Sequence, residues 1–66
     1  MKQQELYQAR VVSELEELEA KVDKLYTFLA SKYFDQLPQD DQELLKLQYY
    51  AMKVYQGILE KRVANF

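Results

Sequence analysis

Apolar residues in the first half of the chain fall at Val11, Leu15, Leu18, Val22, Leu25 and Leu29, spaced 4, 3, 4, 3 and 4 apart. That is the seam of a helix that packs against another helix. The pattern begins near Glu5 and fades at Tyr33, so it predicts a first helix of about 28 residues, roughly 42 Å long. Its apolar arc is narrow, about 100° wide, as a single main partner requires. The stretch SKYFDQLPQDDQ then breaks the periodicity. Pro38 suits a helix start, where its missing N–H costs nothing, and Asp40, Asp41 and Glu43 follow in the first turn, where the helix dipole favours negative charge. Phe34 and Leu37 are expected to fold back as a plug over the end of the pair. A connection this short, about residues 34–38, makes the two helices antiparallel neighbours.

The second helix, about residues 39–64, has a different pattern. At about 100° per residue its apolar side chains between Leu44 and Val63 cover an arc of about 180°, with Tyr49 and Tyr50 just outside the two edges. One antiparallel partner covers half of that arc. The other half calls for a second copy of the chain or a different protein. The fold expected for residues 1–66 is therefore all-α, a single domain: an antiparallel two-helix hairpin that assembles into a homo-oligomeric helical bundle.

Size supports the assembly. A chain of 66 residues buries a core worth only a few kcal/mol, so it needs a staple. Cysteine and histidine are both absent, which removes disulfides, thiolate metal sites, thiol nucleophiles and the commonest general base and zinc ligand. Oligomerisation is the staple left. No apolar run approaches the roughly 20 residues of a membrane span, and the N-terminal MKQQELYQAR lacks a signal-peptide core, so a cytoplasmic protein is expected. The formal charge of −2 argues against a duplex nucleic-acid partner.

Catalytic patterns are not found. Ser13, Thr27 and Ser31 have no imidazole to activate them, and the glutamates of ELEELE spread over several helix faces without an EF-hand loop, as a solvated acidic face does. Neither an enzyme nor a cofactor is expected. Two polar constellations stand out. Gln48, Tyr55 and Arg62 repeat every seven residues within the apolar arc, and in an antiparallel pair Arg62 lies opposite Arg10 and Glu14, so an Arg62–Glu14 ion pair is expected. This ladder reads either as a device that fixes register and oligomer state or as the lining of a polar pocket between subunits, with arginines for phosphate and Tyr55 for a base or ribose. The second set, Lys46, Tyr50, Lys53, Gly57 and Lys61, aligns on the outward face. It reads as ordinary solvation or as a ligand-binding stripe, where Gly57 leaves room for close approach.

The spaced residues Arg10-Val11, Glu14, Glu17-Leu18, Gln48, Ala51-Met52, Tyr55, Ile58-Leu59 and Arg62 resemble those of a family of small helical-hairpin proteins encoded by phages and prophages. Such proteins look like the hairpin modules of phage anti-defence sponges, oligomers that bind cyclic nucleotide or cyclic ADP-ribose signals and so silence defences of the CBASS and Thoeris kind. The resemblance implies a non-enzymatic homo-oligomer whose partner is a small nucleotide-derived signal in the host cytoplasm. The alternative is a protein-interaction module, an inhibitor or assembly factor, that docks through the spare apolar face of the second helix.

Overall fold

The computed structural model describes residues 3–66, with side chains from Leu6 onward. It is all-helical: α1 spans Gln3–Leu29, the single turn α2 spans Lys32–Asp35, and α3 spans Gln39–Ala64. Together they form a rod of 50 × 15 × 14 Å.

The first helix ends at Leu29, short of the expected Tyr33, because of Ser31. This residue takes an extended conformation (φ −90°, ψ 160°), and its Oγ donates to the Phe28 carbonyl at 2.7 Å. A side chain that bonds local backbone in this way offers the chain an alternative to the helical ladder. The helix restarts for one turn, and this turn carries the plug: Phe34 is buried and meets Phe28 edge-on, centroids 6.2 Å apart. Pro38, extended at ψ 148°, precedes α3. The cap is not supplied by Pro38 alone. Gln42 donates its backbone N–H to the Pro38 carbonyl at 3.0 Å and its Nε2 to the carbonyls of Leu37 at 2.9 Å and Asp35 at 3.3 Å, so one amide side chain ties the connection to the helix it introduces. Asp40 and Asp41 lie in the first turn of α3 and Lys61 and Arg62 in the last, each sign at the end where the dipole favours it.

α1 and α3 run antiparallel, with Tyr26 beside Tyr49 near one end and Tyr7 beside Phe66 at the other. Between them Val11, Leu18 and Val22 form one buried cluster with Leu59, and Leu15, Tyr49, Met52 and Val63 pack against it. The α1 seam is thus the expected one. On α3 the inward stripe is Leu45, Tyr49, Met52, Gln56, Leu59 and Val63, so Tyr49 belongs to the core face and not outside the arc. The reason is that the apolar surface of α3 is two seams, not one broad arc. The second seam, Leu44, Leu47, Ala51, Val54 and Ile58, repeats at spacings of 3, 4, 3 and 4 and faces solvent: Leu44, Leu47, Val54 and Ile58 are 63%, 62%, 65% and 51% exposed. Gln56 is the polar member of the inner stripe. Its Nε2 donates to Glu60 at 3.2 Å, while its buried Oε1 has no partner among the described residues.

Candidate functional site

The antiparallel pairing sorts the polar constellations onto two opposite flanks. On one flank the Arg62 guanidinium donates to the Tyr7 hydroxyl and sits over the Tyr7 ring, 5.5 Å from its centroid. Phe66 closes the group at 6.2 Å from Tyr7. The expected Arg62–Glu14 pair is therefore replaced by an Arg62–Tyr7 contact, because the offset between the helices sets Arg62 level with the first described turns of α1, below Glu14. Arg10 and Glu14 continue along the Tyr7 flank of α1, one and two turns on, and Gln48 and Tyr55 continue along the Arg62 stripe of α3. Gln48 is exposed and its Nε2 approaches Met52 Sδ at 3.8 Å, whereas Tyr55 is 42% exposed. The ladder is thus aligned without being joined, and it runs along the border between the inner seam of α3 and the exposed one. Arg10 and Glu14 also edge a shallow groove of about 320 Å³ whose lining comes entirely from α1. A groove with one wall holds a small molecule only when something else supplies the other.

The opposite flank has walls from all three helices. Tyr26 and Leu29 of α1, Phe34 of α2, and Lys46, Tyr49 and Tyr50 of α3 line a cavity of about 290 Å³. Its rings form a chain: Tyr26 lies 6.0 Å from Tyr49 and Tyr49 lies 5.9 Å from Tyr50, tilted by 63°. The Lys46 ammonium stands over the Phe34 ring at 5.8 Å, an arrangement that holds a cation at the edge of an apolar hollow. Of the outward set, Lys46 and Tyr50 border this cavity. Lys53 and Lys61 are exposed further along α3, and Gly57 faces open space, with nothing within 4 Å of where a Cβ would stand.

Sequence reasoning missed Tyr7, Tyr26 and Tyr49 as site residues. The signal was present for each: Tyr7 lies four residues before Val11, Tyr26 four after Val22, and Tyr49 four after Leu45, so all three extend a core stripe outward to its rim. What the arrangement can do chemically is hold a flat aromatic group among tyrosine rings and an anionic group on Lys46. Among the described residues no cluster of His, Cys, Asp or Glu suited to a metal ion is formed, and no helix is long and apolar enough to cross a membrane.

These features define a class: a small all-helical protein with an aromatic-lysine hollow on one flank and an open apolar seam on its outer helix. A family model described as Sequestin matches residues 5–65, and the chain belongs to the Sequestin family. It is 45% identical over 60 residues to a protein of Enterobacteria phage T4 described as an uncharacterized 7.5 kDa protein in the denB-rIIB intergenic region, an alignment that covers 91% of this chain and 94% of that relative. No solved structure matches.

Proposed function

We propose that this protein sequesters a small nucleotide-derived immune signal, of the cyclic nucleotide or cyclic ADP-ribose type, as a homo-oligomer in the cytoplasm of a phage-infected host. The observation that carries the reading is membership of a family described as Sequestin, with a phage protein among its relatives. Sequestration needs affinity and abundance but no turnover. The tyrosine-lined hollow supports the reading because a nucleobase finds stacking partners there, and each stacked base contributes roughly 1 to 3 kcal/mol. Lys46, with Lys53 further along the same stripe, supplies charge for a phosphate. The one-walled groove beside Arg10 and Glu14 is a second place for such a ligand once another copy encloses it.

Calorimetry with a panel of cyclic dinucleotides and cyclic ADP-ribose isomers tests the proposal. We expect at least one ligand to bind with Kd below about 1 μM, equivalent to about −8 kcal/mol. Duplex DNA is expected not to bind at physiological salt, since acidic clusters at Glu14–Glu19 and Asp35–Glu43 repel a continuous phosphate backbone. The second reading, a module that docks on a host or phage protein, is favoured by the exposed seam of α3. It takes over if a folded protein binds nothing in the panel, and tight binding to duplex DNA refutes both.

A further inference from the structure

The exposed seam of α3 is complementary to itself when reversed. Ala51 lies at its centre, and the residues on either side match in pairs equidistant from it: Leu44 with Ile58, Leu47 with Tyr55, Gln48 with Val54 and, beyond the apolar stretch, Asp40 with Arg62. Glu43 and Lys61 fall close to the same symmetry, on the neighbouring edge of the helix. An α3 that meets a second α3 antiparallel, with the two-fold axis through Ala51, therefore sets Leu44 against Ile58 and Leu47 against Tyr55 along the seam, leaves the Gln48 amide beside Val54 at its edge, and brings opposite charges together at both ends. Parallel packing of the same faces sets Asp40 on Asp40 and Arg62 on Arg62, and like charges in register are destabilising. The small side chain at the axis lets the two helices approach closely, and a seam that repeats at 3 and 4 is what such packing uses.

From this we infer that two copies of the chain associate through an isologous, antiparallel α3–α3 interface centred on Ala51. This rests on the homo-oligomer in the proposed function and gives it an orientation. A membrane surface fits the seam poorly, because acidic Asp40 and Glu43 occupy one end where an interfacial helix carries Lys or Arg. Another protein has no reason to match both halves of a reversed pattern, whereas a second copy does so by construction. The interface has a consequence for the two flanks. Gln48, Tyr55 and Arg62 border the seam and become register residues, with Arg62 shared between Tyr7 of its own chain and Asp40 of the second copy. The hollow of Tyr26, Tyr49, Tyr50 and Lys46 lies on the opposite flank and stays open to a ligand.

Because the chain contains no cysteine, introduced thiols report the geometry alone. Leu44→Cys, Ala51→Cys and Ile58→Cys all replace exposed side chains, so the inner core is untouched, and far-UV circular dichroism checks that each variant is folded. With a short bis-maleimide we expect Ala51→Cys to cross-link to itself, Leu44→Cys and Ile58→Cys to remain largely uncross-linked alone, and the two to cross-link to each other after they are unfolded and refolded as a mixture. Sedimentation of the unmodified protein is expected to give a dimer or an even multiple at about 100 μM. Efficient self-cross-linking of Leu44→Cys means parallel packing and overturns the inference, as does a folded monomer at that concentration. No nucleotide enters the experiment, so its failure leaves ligand binding by calorimetry standing, and a null calorimetry result leaves the cross-link pattern standing.

Discussion

Leu59 and Ile58 are neighbours in sequence with opposite surroundings, which makes them a paired test of the two-seam description of α3. Leu59 is 0% exposed and belongs to one buried cluster with Val11, Leu18 and Val22. Truncation to Ala removes that contact and leaves a cavity, for which about 2 to 5 kcal/mol is typical. A chain of this size is stable by roughly 3 to 10 kcal/mol, so the variant is left near the edge of folding. With an unfolding entropy of about 2 cal/mol/K per residue, a loss of about 3 kcal/mol lowers Tm by on the order of 20 °C. Ile58→Ala removes a side chain already half in solvent. Its transfer cost of about 1 kcal/mol is partly offset by the better helix propensity of Ala, leaving roughly 0.5 kcal/mol in a single chain. Thermal melts by circular dichroism over a hundredfold range of concentration separate the two. The cost of Leu59→Ala is intramolecular and stays constant across the range, while that of Ile58→Ala grows as the second seam becomes covered. If Leu59→Ala costs less than about 1 kcal/mol, or if its cost and that of Ile58→Ala are alike at every concentration, the assignment of inner and outer seams is refuted.

Other substitutions test other parts of the structure. Tyr7→Phe keeps the ring beneath Arg62 and deletes its hydrogen-bond acceptor, so urea unfolding is expected to show a loss of about 0.5 to 1.5 kcal/mol, and no loss at all argues against that contact. Gly57→Ala is expected to raise stability by about 1 kcal/mol because open space receives the methyl group; a decrease would mean that a neighbour or ligand is seated against Gly57. Gln42→Ala breaks two bonds to the connection and is expected to speed amide exchange at residues 36–38 more than at the core of α3, which exchange measured by NMR resolves. For the hollow, Tyr50→Ala and Lys46→Met are each expected to weaken binding of the panel ligand by roughly tenfold or more with the fold intact, and unchanged affinity in both places the ligand elsewhere.

Most of the helical framework was legible because it depends on local rules. The 4-and-3 spacing from Val11 to Leu29 gives the inner face of α1 directly, and Pro38 followed by Asp40 and Asp41 marks where α3 begins. The early end of α1 was not legible, since Ser31 is an ordinary helix residue by propensity and stops this helix through one local bond to Phe28. The partner of Arg62 was equally hidden. Pairing by opposite charge points to Glu14, but a shift of two turns in the offset between helices exchanges it for Tyr7, and that offset depends on how the core side chains of the two helices interlock. The hollow depends on that same offset. Lys46 and Tyr50 were visible as an outward stripe, yet only the tertiary arrangement brings Tyr26 from α1 and Phe34 from α2 around them.

The chain of tyrosine rings at the turn end also has an optical consequence. There is no tryptophan, so tyrosine carries the main near-ultraviolet signal, and Tyr26, Tyr49 and Tyr50 stand at successive centroid separations of 6.0 and 5.9 Å. Rings held this close in a fixed, tilted geometry couple their transitions, and that coupling disappears when side-chain packing loosens even if the helices persist. The protein thus carries its own chromophore in the hollow: an aromatic ligand that stacks there perturbs the tyrosine band directly, while an event confined to the exposed seam of α3 leaves those rings undisturbed.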